Sequence, residues 1–120
     1  MALYRLGRLD EATAELDAIL RDHPRFADAA NNRAAIAIDQ ERWPDAERWA
    51  PRALELAPDS SEALNNLGVA QDEQGRHAEA RASFERALKL EPAYRPARVN
   101  LGITLKHLGL FQEALAAFDM

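Results

Sequence analysis

Three asparagines, Asn32, Asn66 and Asn100, stand at a constant spacing of 34 residues. An amide side chain offers both donors and an acceptor, so a row of them can bond the backbone of an extended peptide whatever side chains that peptide carries. Asn31 and Asn65 stand beside two of them, and the acids Asp28, Asp39, Glu62, Asp72 and Glu73 flank the row, with Lys106 further along. These residues form the candidate peptide-binding set. Its acidic balance favours a basic or neutral ligand and faster encounter with it. Two plainer uses stay open: asparagines that bond locally between helices, and acids on a solvated helix face.

Other chemistry is poorly supported. His23, His77 and His107 fall in different repeating units and on different faces, without the paired spacing of metal ligands. There is no cysteine, no glycine-rich phosphate loop and no serine in a nucleophile elbow. Asp72 and Glu73 are adjacent, so they point to different sides of a helix and do not share a proton. No catalytic residue, metal site or cofactor is expected, and the chain is not read as an enzyme.

The elements that must position these side chains follow from the same period. Pro24, Pro58 and Pro92 repeat it, as do Ala12, Ala46, Ala80 and Ala114, and Leu20, Leu54 and Leu88. Gly7, Gly75 and Gly109 lie on the grid, with Glu41 in the remaining slot. Self-similarity at one period marks a repeat array. The grid divides the chain into a partial unit at 1–26, complete units at 27–60 and 61–94, and a partial unit at 95–120. Each unit reads helix–turn–helix. In 61–94, Ser60 or Ser61 caps a first amphipathic helix, and Gly75 ends it in left-handed geometry. A second helix runs through Ala80, Phe84 and Ala87 to a stop at Pro92. Glu11, Asp45, Glu79 and Glu113 then sit in the first turn of every second helix, facing the positive end of its dipole.

The stretch ALNNLGVAQDEQGRHAEARASFERALKLEP, residues 63–92, resembles the tetratricopeptide repeat, with Leu64, Leu67, Gly68, Ala80, Phe84, Ala87 and Pro92 at that family's characteristic positions. Ala34, Ala46 and Ala53, and Gly102 and Ala114, repeat the small-residue pattern. The resemblance implies an all-α fold, a right-handed solenoid of antiparallel helix pairs whose first helices line a concave binding face. Ala35, Ile38, Val69, Val99, Ile103 and His107 are then expected on that face too, with Tyr4 and Arg5 at its N-terminal end. In its asparagine row the chain is similar to the tetratricopeptide domain of the nucleocytoplasmic O-GlcNAc transferase. It does not match the clamp that grips a chaperone's C-terminal carboxylate, because Asn31 and Ala35 occupy two of the slots such a clamp needs.

The second unit departs from the pattern. Arg33 stands where Leu67 and Leu101 stand, and its head is expected to snorkel out of the buried seam. Glu41 in a glycine slot implies backbone strain. Ala50 replaces the aromatic seen at Phe84 and Phe118, a volume that Trp49 or Trp43 can refill. Pro44 suits a first helical turn. Pro51 falls in a helix interior, where it either kinks the helix toward a groove or is tolerated on an outer face.

Composition narrows the partners. Of 120 residues, 48% are hydrophobic and 29% charged, so the chain is neither disordered nor membranous. No apolar run approaches the roughly 20 residues of a membrane span. The net charge of −5 argues against nucleic acid and anionic membranes. Thirteen arginines against two lysines, with abundant alanine, suggest a bacterial coding bias. The first residues lack a signal peptide's pattern, and a cytoplasmic location is favoured. Leu3, Leu6, Leu115 and Phe118 are expected to leave apolar surface at both ends of the array, which predicts a homo-oligomer or membership of a longer array. A protein- or peptide-binding module is the leading reading. The alternatives are a substrate-recruiting segment of a larger enzyme such as a glycosyltransferase, and a self-assembling repeat scaffold.

Overall fold

The computed structural model describes the backbone of residues 2–119 and the side chains of residues 8–119. It contains α1 (Ala2–Asp22), α2 (Ala27–Asp39), α3 (Trp43–Leu56), α4 (Ser61–Glu73), α5 (His77–Leu90), α6 (Arg95–His107) and α7 (Phe111–Asp119), with no strand among the described residues. Each helix packs on the next in sequence, and α2 also packs on α4 and α4 on α6. Among the described residues, no Cα pair between α3 and α5 or between α5 and α7 comes within 8 Å. Inner helices that touch and outer helices that stand apart curve the array, so α2, α4 and α6 line its concave side. The result is an all-α solenoid 46 × 33 × 23 Å in extent.

Local chemistry explains the helix ends. Ser60 is the N-cap of α4, its Oγ accepting from the Ala63 amide at 3.0 Å. Three inner helices end in the same closed turn. Arg42 donates to the Ala37 carbonyl at 2.8 Å, Arg76 to Gln71 at 2.9 Å and Leu110 to Leu105 at 2.9 Å. The turn demands a left-handed residue. Gly75 (φ 84°) and Gly109 (φ 80°) supply it freely, and Glu41 is forced into it at φ 57°.

The array begins differently from expectation. Gly7 does not end a helix, and α1 runs unbroken through it for 21 residues. Glycine permits a left-handed turn without forcing one, and continuing the helix keeps its i→i−4 bonds. Glu11 therefore lies in a helix interior, whereas Asp45, Glu79 and Glu113 do occupy first turns. Leu3, Tyr4, Arg5 and Leu6 lie outside the described side chains.

Small residues dominate the core because the helices approach closely. Ala34, Ala46, Ala80 and Ala97 are fully buried, while Phe84 and Leu64 are the largest apolar side chains so enclosed. A Cβ added to Gly68 would lie 2.5 Å from Phe84 Cε1, and one added to Gly102 would lie 2.4 Å from Phe118 Cε1. Glycine on the inner helix thus makes room for the aromatic ring of the outer one. In the second unit this exchange is resolved as alanine on both sides, Ala34 and Ala50, each completely buried. Trp49 packs against a different cluster, which contains Leu20, Ala29 and Ala53. Helix α3 carries Pro44 in its first turn and continues through Pro51 to Leu56.

Arg33 corrects an expectation. It is 7% exposed, so its head does not snorkel out onto the surface. Instead, Nε donates to Asp17 Oδ1 at 2.9 Å, and Nη2 lies 3.8 Å from Asp45 Oδ2. Nη1 is buried with no partner. The ion pair to α1 and α3 holds the guanidinium inside, against the snorkelling that a long stem would otherwise permit.

Candidate functional site

Side chains on adjacent inner helices meet at an offset of 35 residues, one more than the repeat. Asn66 Nδ2 donates to Asn31 Oδ1 at 2.9 Å, and Asn100 Nδ2 donates to Asn65 Oδ1 at 3.0 Å. The extra residue follows from stacking, which places each helix about one position further along its neighbour. These amide pairs lock α2 to α4 and α4 to α6. They also divide the asparagines by role. Asn31 and Asn65 are buried acceptors, Asn66 and Asn100 are half-buried donors, and Asn32 is exposed.

The acids divide in the same way. Asp28, Asp39, Glu62 and Glu73 are exposed, as is Lys106, and Asp72 is buried. Ile103 and Val99 are exposed on α6, and Ile38 and Val69 are half-buried on α2 and α4. The negative field on this side reaches Tyr94. Its phenol is pushed above the ordinary tyrosine value by burial first, then by the nearby charges of Glu62 and Glu91. A cleft of about 60 Å³ between α4 and α6, bordered by Val69, Asp72, Asn100 and Ile103, indents the face. Small-molecule pockets run to roughly 300–1,000 Å³, so this surface suits a segment laid along it better than a compact ligand enclosed by it.

Asp72 is the centre of an arrangement that the sequence reading did not assemble. Its Oδ1 lies 2.6 Å from His77 Nδ1 and its Oδ2 lies 3.0 Å from His107 Nδ1. The two imidazole rings are 4.9 Å apart, tilted by 45°. Placing His77 and His107 on different faces was therefore wrong. His77 opens α5, five residues beyond Asp72 across the tight Gly75 turn, and His107 reaches Asp72 from the next inner helix at the same 35-residue offset as the amide pairs. That offset, rather than the 34-residue repeat, was the available signal. Asp72 sits in the last turn of α4, where the helix dipole disfavours an anion, so two imidazole N–H groups compensate it there. His23 is exposed in the α1–α2 turn and takes no part.

Outer helices that stand apart are bridged by long side chains. Arg76 pairs with Glu47, and Arg81 Nη2 lies 3.6 Å from Glu113 Oε1. Arg76 and Arg81 thus serve the convex side, and α2 and α4 expose acids but no lysine or arginine.

No curated protein matches this sequence. Solved structures do. The chain superposes on MamA (AMB-1) with a TM-score of 0.83 and 27% identity, covering 96% of this chain and 68% of that one. On MamA (MSR-1) the TM-score is 0.80 at 26% identity, with 98% and 68% covered. For MamA 41-end from Desulfovibrio magneticus RS-1 the TM-score is 0.87 at 21% identity, with 98% and 67% covered. The chain therefore spans about two thirds of the length of these structures. Among the described residues no helix is long and apolar enough to cross a membrane. Tetratricopeptide-repeat family profiles match residues 25–93, 72–120 and 1–18. The first of these alone covers more than half the chain, and this protein belongs to the tetratricopeptide repeat family.

Proposed function

We propose that this tetratricopeptide array, a protein–protein interaction module, lays an extended basic or neutral segment of a partner protein along the concave face of α2, α4 and α6. The observation that carries the reading is charge placement: α2 and α4 expose Asp28, Asp39, Glu62 and Glu73 and no lysine or arginine. Such a surface steers a cationic segment and disfavours an acidic one. Asn66 and Asn100 support the same reading. Each uses one amide N–H on the preceding repeat, which fixes its rotamer and leaves a second N–H and the carbonyl for a bound backbone.

The test is a peptide-display selection against the parent chain and against an Asp28→Asn/Asp39→Asn/Glu62→Gln/Glu73→Gln variant. All four positions are exposed, so circular dichroism should show both proteins equally helical. The parent is expected to enrich Lys- and Arg-containing extended peptides, and the variant to lose that preference. Identical enrichment by both would place binding elsewhere. An Asn66→Ala/Asn100→Ala variant then tests the amide row, with stability measured in parallel because Asn31 and Asn65 lose their partners.

One observation favours a second reading, the stacking of repeats on repeats. Helix α7 exposes Phe111 (63%), Leu115 (64%) and Phe118 (42%) around a hollow of about 350 Å³. The corresponding surface of α5 is covered by α6. A helix of the kind α6 presents to α5 would cover α7 in the same way. Size that grows with concentration, and falls on Phe111→Ser/Leu115→Ser, is the expected result if a second copy supplies that helix. A concentration-independent monomer would sink self-association by this face.

A further inference from the structure

We propose that Asp72, His77 and His107 form a binding site for a divalent first-row transition ion of the zinc type, joining two successive repeats. The three side chains each offer one ligand atom, and these atoms all lie within 4.8 Å of one another. A tetrahedral ion with bonds of about 2.0–2.1 Å holds its ligand atoms about 3.4 Å apart. The Asp72–imidazole separations of 2.6 Å and 3.0 Å are hydrogen-bond distances, shorter than that, so an ion would take the place of these two hydrogen bonds as the side chains move apart around it.

The donor set selects the ion. Two imidazole nitrogens and one carboxylate suit zinc, cobalt or nickel, whereas calcium and magnesium prefer oxygen ligands throughout. Neutral imidazoles that give their Nδ1 lone pairs to the ion carry their proton on Nε2 instead, so each ring exchanges one tautomer for the other with its own proton count unchanged.

The surroundings are those of a built site. Asp72 is 7% exposed and comes from the C-terminal turn of α4, where the dipole disfavours its charge. A divalent ion neutralises that buried carboxylate more completely than two imidazole N–H groups do. The partners come from three elements, with Asp72 on α4, His77 at the start of α5 and His107 in the last turn of α6. His107 is half-exposed, with 45% of its side chain in solvent, so the cluster stays open to an arriving ion. Three protein ligands leave a fourth position for water, the pattern of open rather than closed zinc sites. An ion held here would cross-brace two repeats and set the angle between α4 and α6 on the concave side. The site shares the α4–α6 cleft with the exposed Glu73, but its three ligands are none of the exposed acids that carry the peptide-binding reading, and metal uptake is read without a peptide.

The test uses the whole chain without an affinity tag, freed of metal by chelation. It is titrated with Zn²⁺ against a chromophoric chelator, and with Co²⁺ for its absorption spectrum. The expected result is one saturable equivalent per chain with a tetrahedral Co²⁺ spectrum. His107→Ala and His77→Ala should each weaken binding by at least about tenfold, and His23→Ala should leave it unchanged. At free Zn²⁺ about a hundredfold above Kd, the melting temperature should rise by about 10 °C in the parent, and not in His107→Ala. His107 is exposed enough for its alanine variant to remain folded, which circular dichroism checks directly. Weak, non-saturating uptake would overturn the proposal, as would binding equal in parent and His107→Ala, or binding abolished by His23→Ala.

Discussion

Substituting alanine at Gly68 and at Gly102 adds the same methyl group to two equivalent positions, and the structure predicts opposite consequences. At both, the new Cβ would meet an aromatic ring at about the same separation, 2.5 Å from Phe84 and 2.4 Å from Phe118. The rings differ in their freedom to yield. Phe84 is 1% exposed and packed between α4, α5 and α6, whereas Phe118 is 42% exposed on the outer helix α7. Overpacking a closed core costs about 1–3 kcal/mol, and replacing glycine by alanine in a helix returns about 0.5–1 kcal/mol. Gly68→Ala should therefore destabilise the array by about 1–2 kcal/mol. Gly102→Ala should be neutral or stabilising by up to about 1 kcal/mol, because the Phe118 ring can swing outward. The second unit supplies a further check, since it carries Ala34 and Ala50 in the two slots. Phe84→Ala alone should cost about 3–5 kcal/mol. In that background Gly68→Ala should become favourable by about 0.5–1 kcal/mol, reversing its sign. Urea unfolding followed by far-ultraviolet circular dichroism measures all four variants, with an unchanged m-value as the condition for comparing them. Equal losses at Gly68 and Gly102, or strict additivity in the double variant, would refute the ring-burial argument.

Two further outcomes are expected. Glu41→Gly should raise stability by about 0.5–1 kcal/mol, since a non-glycine residue at φ 57° bears about 1–2 kcal/mol of left-handed strain, partly offset by glycine's larger unfolded-state entropy. Thermal melts of Glu41→Gly and Glu41→Ala separate this from loss of the glutamate charge, because only glycine relieves the strain. Arg33→Leu, which restores the residue type of Leu67 and Leu101, should be neutral or stabilising by about 1–3 kcal/mol, because it removes a buried charge while Asp17 and Asp45 remain solvated. A loss above about 1 kcal/mol in urea unfolding would show instead that the Arg33 pairs hold α1 in place.

The repeating class of fold was legible in the chain because each unit is one local event written three times over. A proline stops the outer helix, a glycine or a strained Glu41 turns the inner one, and the 34-residue period places small residues wherever helices cross. Those rules act over a few residues, so the helices of 27–119 could be read without knowing what lies beside them. The first turn could not: Gly7 has the right type at the right spacing, yet α1 passes through it, because whether a permissive residue turns depends on what packs against it. The asparagine and acidic rows were visible as rows, but their division into buried and exposed members was not. Sequence alone determined which residues recur on the inner helices of this tetratricopeptide array. Only the stacking of one helix on the next, displaced by one residue, decided that Asn66 bonds Asn31, that Asn100 bonds Asn65, and that His107 joins His77 at Asp72. A repeat period specifies equivalent places in successive units; contact between units depends on their rotation and offset, which are set by the packing of whole helix faces.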